Sequence, residues 1–520
     1  MIPSRRLLKL DKVAAPVSTR TAFLLFALLL GVFVALRLWN LTAYSLWGGE
    51  VFTLYGVREG WGDLLTYIVE DIVHPPLFYV LLKAWIALGG ESLLWLKLFP
   101  VLAAVATMAP FLLLCRELNL HPAEMYLAFL LIAVNGFLIH YAQELRMYSL
   151  FMFLSTCSYW LFVRFFNAEA TRRLDLLALS GVNLLLVYTH YYGWLAIGAE
   201  FIFLLGSNRQ KLPAFAFSIA VLLLCFSPWV YMVVLATIQK RGLGANLGWI
   251  PRPNRYSLDY LQRNLNGFLV FPGSKIFALL LFGGPVFLWG VRLVRADRGS
   301  SRGSGLVFGW LCLLSCFPVA VSFWFSRFLS KAVWVDRYFI FIAVPYMMLI
   351  AIATQQLRLK WLKAIVTYSM IAWAVLAGLQ DLRSDRLAWE GAQLGSRIPW
   401  EDVVYQLTQT ETIRTGDVKI YALTAESNGV KTGFWTIATS MQLQFDALGE
   451  KRFQVIRRDD MASLLADLAE DHFWVAFFES RLLRQYPPRQ FLTDNGFQVG
   501  IGVQIGGFDN RLVLFPVWRL

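Results

Sequence analysis

Apolar stretches near twenty residues long recur through the first three quarters of the chain. Short polar segments separate them, and the pattern stops near residue 379. A helix needs about 20 apolar residues to cross a hydrocarbon core of roughly 30 Å, so the pattern predicts a polytopic α-helical membrane protein. It places eleven spans, at 21–39, 92–115, 122–140, 148–166, 174–189, 193–206, 213–237, 274–291, 304–325, 338–354 and 361–379. Segment 77–88 is also apolar, but it is bounded by Pro75-Pro76 and Gly89-Gly90 and holds Lys83. An apolar run of about 10–14 residues more often lies at an interface than crosses, so this segment is expected to be a juxtamembrane helix. Counting it as a span would invert every later loop.

With that segment excluded, the basic residues sort themselves. Arg5, Arg6, Lys9, Lys12 and Arg20 precede the first span. Arg116, Arg172-Arg173, Arg209 with Lys211, Arg292 with Arg295, Arg298 and Arg302, and Arg358 with Lys360 and Lys363 all fall in alternate, short loops. Lys and Arg concentrate on the cytoplasmic side. The reading is therefore a multi-pass protein of the inner (plasma) membrane, with a cytoplasmic N-terminus and an extracytoplasmic C-terminal region. The first apolar run is too long for a signal peptide and lacks a small-residue cleavage site, so it reads as an uncleaved helix.

Composition agrees. Charged residues make up 16% of the 520 residues and hydrophobic ones 58%, against about 25% charged in a soluble domain; mean hydropathy is +0.56. The net charge of +13 is explained by loops held against an anionic leaflet, so membrane lipids, and not nucleic acid, are the expected partners. The five cysteines, Cys115, Cys157, Cys225, Cys312 and Cys316, sit in or at the ends of apolar runs, which predicts no disulfide and no thiolate metal site.

Two domains follow: a membrane module over 1–379 and a small extracytoplasmic α/β domain over 380–520. In the latter, Val418–Leu423, Phe453–Ile456 and His472–Glu479 read as strands. Glu401–Glu411, Thr432–Phe445 and Ser463–Glu470 read as helices. Gln498–Ile505 and Arg511–Val517 read as a terminal hairpin. No Gly-rich phosphate loop or metal-ligand cluster is present in it.

The candidate chemistry lies on one side of the predicted membrane. The first far-side loop offers Glu50 and His74, and the second Gln143, Glu144, Arg146 and Tyr148. A third offers His190, Tyr191 and Tyr192, and a later one Arg327, Lys331, Asp336, Arg337 and Tyr338. Each has a plain alternative: a solvated loop acid, a turn histidine, an interfacial Glu144–Arg146 pair, an aromatic belt or a snorkelling arginine. Their joint occurrence on one side fits group transfer from an anionic lipid-linked donor. A carboxylate would take a proton from an acceptor hydroxyl, and cations would hold a departing phosphate.

The order Leu46-Trp47-Gly48-Gly49-Glu50 with Thr53, then His74-Pro75-Pro76-Leu77-Phe78-Tyr79, then Gln143-Glu144-Leu145-Arg146-Met147-Tyr148, then Arg337-Tyr338-Phe339, carries a resemblance over roughly residues 20–380. It resembles the bacterial type C (GT-C) membrane glycosyltransferases related to protein O-mannosyltransferases and lipid A aminoarabinose transferases. The resemblance implies transfer of a sugar from a polyprenyl-phosphate carrier, with inversion, to a glycan, lipid or protein hydroxyl on the extracytoplasmic face. It puts His74 and Arg337 beside the donor phosphate and Arg146 in the second-loop wall. The family's first-loop Asp-Glu pair falls on Gly49 and Glu50, so the Asp is absent here. The base role then goes to Glu50 or to Glu144, or the chain is an inert lipid-binding homologue. A flippase of lipid-linked sugars is the rival from another class; it would spread polar residues through the helix midplanes. No cofactor is indicated. A divalent metal is not required by the motif, although Glu50, His74 and Glu144 could form a weak site. The 239–270 loop, with Trp249, Arg252, Arg255 and Tyr260, is expected to cover the site.

Overall fold

A computed structural model describes residues 7–10, 19–43, 46, 48–71, 73–170, 172–238, 250–295, 302–328, 332–383, 407, 418–423, 441–443, 445–446, 452–458, 464, 471–478, 488–501, 503–505 and 512–519. The first helix, α1, spans Thr19–Leu38. Two short helices follow, α2 (Gly48–Arg58) and α3 (Trp61–Asp71), then α4 (Leu77–Gly89), α5 (Leu93–Ala106), α6 (Met108–Glu117), α7 (Pro122–Val134) and α8 (Gly136–Gln143). The bundle continues with α9 (Tyr148–Asn167), α10 (Arg173–Thr189), α11 (Gly193–Ser207), α12 (Leu212–Ile238), α13 (Arg255–Asn266), α14 (Ser274–Ala278), α15 (Gly284–Arg295), α16 (Arg302–Phe328), α17 (Ala343–Gln355) and α18 (Lys360–Arg383). A π-turn at Leu279–Gly283 joins α14 to α15, and a 3₁₀ segment at Asp336–Ile342 leads into α17.

Each predicted span is a helix or a broken helix. Among the described residues seven helical segments are long and apolar enough to cross a membrane, and an eighth is if α7 and α8 count as one bent span. The chain is a multi-pass membrane protein. The departures from regular helix have local causes. Helix α7 ends at Asn135, whose side chain instead caps α8 by accepting from Leu138 N at 3.0 Å, and the two axes diverge by 57°.

Contacts distinguish the two ends of the bundle. At one end Asn167, the last residue of α9, donates to the carbonyls of Leu8 (3.3 Å) and Glu117 (3.5 Å). There too Leu10 N donates to Leu118 O at 2.9 Å, and Lys211 Nζ bonds Phe165 O and Ala168 O at 2.7 and 2.9 Å. The first residue of α9, Tyr148, therefore marks the opposite end. The α5–α6 span runs from that opposite end at Leu93 to Glu117. Helix α4 begins beside His74 and closes next to Leu93, where Trp85 and Trp95 stack at 4.1 Å and exchange indole N–H bonds to each other's carbonyl oxygens. Both ends of α4 thus lie at the Tyr148 end. With 13 residues, about 20 Å at 1.5 Å per residue, it does not traverse the bundle, as its length predicts.

Helix α18 returns the chain to the Tyr148 end, passing close to the α7–α8 break. A Cβ at Gly378 would overlap the carbonyl oxygen of Val134, and one at Gly136 would overlap the Asp381 carboxylate. Beyond it lies a mixed sheet, β1 (Val418–Leu423), β2 (Phe453–Arg458), β3 (His472–Phe478), β4 (Phe497–Val499), β5 (Val503–Ile505) and β6 (Leu512–Arg519), with one described helix, α19 (Pro488–Asp494). Strand order is β2-β1-β3-β6-β4, with β5 also paired to β6. The β1–β2 and β1–β3 pairs are parallel and those to β6 antiparallel. Alternate side chains feed two cores. Ile420, Ala422, Trp474 and Ala476 pack on one face, and Tyr421, Phe473, Val475 and Phe515 on the other. Burial on both faces explains the unbroken apolar run Phe-Trp-Val-Ala at 473–476 of β3.

The single strand expected at Gln498–Ile505 is two. Gly500 N donates to Pro516 O at 2.9 Å, and a Cβ there would meet Trp518 at 2.7 Å. The glycine lets β6 press against the chain at the break, so β4 and β5 pair with β6 separately. Of the helices expected at Glu401–Glu411 and Ser463–Glu470, only Leu407 and Leu464 are described, both helical. Of Thr432–Phe445, Met441–Leu443 and Phe445 are described, also helical; the remaining positions lie outside the described residues.

Candidate functional site

The site is assembled at the Tyr148 end by the break in the α7–α8 span. Ending a helix mid-bundle leaves its last carbonyls without intrahelical donors. Arg37, fully buried near the end of α1, supplies them. Its Nη1 donates to Ala133 O at 3.0 Å and its Nη2 to Ile132 O at 3.1 Å, while Nη1 also bonds Phe33 O at 3.1 Å. The guanidinium lies 3.4 Å from the Phe33 ring centroid. Asn135 ties the break to α13 through Nδ2, which donates to Asn264 O and Leu265 O, each at 3.1 Å. At the far end of α8, Gln143 Nε2 donates to the carbonyls of Arg37 (3.1 Å) and Trp39 (2.8 Å). The segment 143–146 is therefore clamped to α1 at both ends of the short helix before it.

That clamp presents Leu145 and Arg146 to the first loop. Glu50, in the first turn of α2 and 1% exposed, accepts from Leu145 N at 2.6 Å through Oε1. Arg146 Nη1 donates to Gly49 O at 2.8 Å and to Thr53 Oγ1 at 2.6 Å. Its Nη2 lies 3.2 Å from His74 Nε2. One arginine thus joins both halves of the first loop to the second. Pro75-Pro76 starts α4 immediately after His74 and fixes where the imidazole leaves the backbone.

The later loops add a second group. Arg337 Nε, in the 3₁₀ segment, donates to Tyr148 Oη at 2.7 Å. Tyr148 and Tyr338 stack with centroids 6.5 Å apart. His190 meets Tyr338 edge-on at 4.6 Å and stacks on Phe151 at 4.8 Å, and its Nδ1 accepts from Tyr192 N at 3.1 Å. Burial, then the nearby His74, Arg146 and Arg337, hold the His190 imidazole well below its usual pKa, so it is neutral at pH 7. The same influence places His74, Arg146, His190 and Arg337 within one electrostatic neighbourhood.

Two expected residues make contacts of a different kind. Tyr191 Oη accepts from Trp229 Nε1 of α12 at 2.9 Å, and the ring packs toward Phe226 at 6.5 Å. Glu144 is fully buried, with Oε2 3.5 Å from His140 Nε2 one turn back on α8. Arg146, whose plain alternative was an interfacial pair with Glu144, directs its guanidinium to Gly49 O, Thr53 Oγ1 and His74 Nε2 of the first loop. Among the described residues no three His, Cys, Asp or Glu side chains gather closely enough to hold a metal ion, Glu50, His74 and Glu144 included. Of the loop expected to cover the site, residues 239–249 with Trp249 lie outside the described residues, and Arg255–Asn266 forms α13, docked on Asn135. Arg37, Asn135 and His140 belong to none of the motifs quoted above, and Thr53 belongs only to the first-loop motif. A lone cation inside a predicted span was the signal available for Arg37, since such residues are costly in a membrane and have a task.

No protein-family model matches the chain, and no curated protein matches its sequence. Solved structures do match. The structure is similar to ArnT from Cupriavidus metallidurans bound to undecaprenyl phosphate, with a TM-score of 0.56, 13% identity, and coverage of 96% of this chain and 98% of that one. It is similar to the same protein in the apo state with a TM-score of 0.55, 14% identity and the same coverage. ArnT is a lipid A aminoarabinose transferase. A membrane bundle ending in a small sheet, matched over nearly the whole length of both chains, gives this protein the type C glycosyltransferase fold.

Proposed function

We propose that the protein is an integral membrane glycosyltransferase that moves a sugar from a polyprenyl-phosphate-linked donor to an acceptor hydroxyl on the extracytoplasmic face. The observation that carries this reading is the convergence of Glu50, His74, Arg146, Tyr148, His190 and Arg337, drawn from four loops, at one end of the bundle. The resident lipid of the ArnT structure, undecaprenyl phosphate, is the class of carrier such cations would suit.

In this mechanism Glu50 accepts the proton of the acceptor hydroxyl. The oxygen attacks the anomeric carbon opposite the phosphate, the bond from that carbon to the phosphate oxygen breaks, and the configuration inverts. The lipid phosphate leaves with the electron pair. Arg337 and His74 face the charge that develops on it. Arg146 keeps Gly49 and Thr53 in register, and so aims Glu50. The Leu145 N–H bond orients the carboxylate. With Asp absent at position 49, Glu50 is the member of the first-loop acid pair that remains, and its contact with the second loop favours it over Glu144, whose Oε2 lies beside His140. Neutral His190 and Tyr338 form the wall against the sugar. The domain at 380–520, reached from α18 at the same end, serves in acceptor docking.

The test is Glu50→Gln and Arg337→Ala in a transfer assay with a polyprenyl-phosphate sugar, at matched expression. Loss of general-base catalysis predicts a fall of about 10²–10⁴ for Glu50→Gln. Unchanged turnover in both variants would remove the mechanism. Tight binding of polyprenyl phosphate by the parent chain without transfer would identify an inert lipid-binding homologue.

A further inference from the structure

At the end of the bundle away from the catalytic loops, α15 and α16 leave a groove of about 350 Å³. Its walls are Val286, Gly290 and Val294 of α15 and Phe308 of α16, with Arg295 at the rim. Position 290 has no side chain, and this lets the Phe308 ring of α16 rest directly on α15 at the groove. A Cβ there would stand 2.9 Å from the Phe308 ring, and that ring is fixed edge-on against Trp289 at 4.9 Å. Its location follows from the chain. Helix α17 starts beside Arg337 and ends at Gln355, and the next residue, Gln356, accepts through its carbonyl from Arg292 Nη1 at 2.9 Å. Arg292 and Arg295 therefore sit at the end opposite the site, where Arg358, Lys360 and Lys363 follow in sequence.

We propose that this groove is a binding site for one anionic phospholipid of the leaflet opposite the catalytic loops, an acyl chain lying along Gly290 and the phosphate meeting Arg295. Charge complementarity selects the occupant. The walls are apolar over about two and a half helical turns, from Val286 to Val294, and the polar group at the mouth is a guanidinium, which suits a net-anionic phosphodiester better than one whose charge a choline balances. The volume lies within the range of small-molecule sites, whereas ordinary annular contact needs no groove. The site is separate from the donor site, since the two are at opposite ends of α17.

The experiment uses the delipidated, detergent-purified full chain, given equal amounts of palmitoyl-oleoyl phosphatidylglycerol and phosphatidylcholine and read by native mass spectrometry. The wild type is expected to retain the first phosphatidylglycerol preferentially. Arg295→Ala, an exposed substitution, is expected to lower that retention about fivefold, the worth of one basic residue at an anionic surface, without changing phosphatidylcholine. Val294→Trp, which fills the groove from its open side, is expected to lower both. Equal retention of the two lipids by the wild type would overturn the proposal. So would unchanged phosphatidylglycerol retention in Arg295→Ala with an unaltered melting temperature, or full displacement of the lipid by inorganic phosphate.

Discussion

Replacing Arg37 by Met tests whether the broken span is what positions the site. The substitution keeps the apolar stem and removes the donors to Ile132 O and Ala133 O, which end α7 in the interior. A buried acceptor left without a partner costs about 1–3 kcal/mol, so the two together cost roughly 2–6 kcal/mol. Removing a buried guanidinium relieves part of its own desolvation cost, which puts the expected loss in the lower half of that range. Against a native stability of about 5–15 kcal/mol the change is large enough to measure. The break also sets where Gln143 and Arg146 fall, because Gln143 bonds the Arg37 and Trp39 carbonyls. A displacement of about 1 Å at the reacting groups can cost 10² in rate. The assay is thermal unfolding in detergent, followed by tryptophan fluorescence, alongside sugar transfer at a temperature where the variant is folded. Arg37→Lys should recover part of the stability, since an ammonium still carries three donors. Arg37→Met and Asn135→Ala should be non-additive, because both remove supports of the same break. A melting temperature and turnover for Arg37→Met indistinguishable from wild type would refute the reasoning.

Three further outcomes follow from the same geometry. Glu144→Gln should retain far more transfer than Glu50→Gln, because Glu144 faces His140 and Glu50 faces the loop that carries Arg146; equal losses, measured side by side, would return the base role to Glu144. The pKa of His190 is lowered in the folded state by burial and nearby cations, so the unfolded chain binds a proton first as pH falls. Stability should therefore drop below about pH 6.5, the unfolded value, and His190→Gln should flatten that drop in unfolding measured from pH 7.5 to 5. Gly378→Ala should lower the melting temperature by the equivalent of about 1–3 kcal/mol or more, since the added Cβ overlaps the Val134 carbonyl; a silent substitution would show that α18 does not pass the break so closely.

The linear sequence determined which segments of the membrane module are apolar and helical, because hydrophobic length is read directly by a bilayer and does not depend on neighbours. It determined that 77–88 is too short to cross, and the structure places both its ends at one end of the bundle. It also marked strands at Val418, Phe453 and His472, whose apolar residues suit a sheet buried on both faces; their pairing came from the structure. The residues named at Glu50, His74, Arg146 and Arg337 could be picked out one by one, but each had an ordinary reading. Only the tertiary structure decided that the Arg146 guanidinium reaches Gly49, Thr53 and His74, and that Tyr191 bonds Trp229 of α12. The choice depends on the 57° break at Asn135, which is stabilised by donors from α1 more than ninety positions away in sequence. Local propensity carries no record of such a partner: an orphaned carbonyl is satisfied by whatever the folded chain brings to it. The division of Gln498–Ile505 at Gly500 has the same cause. A glycine in a strand is permissive by itself, and it was the approach of Trp518 and Pro516 that made the permission necessary.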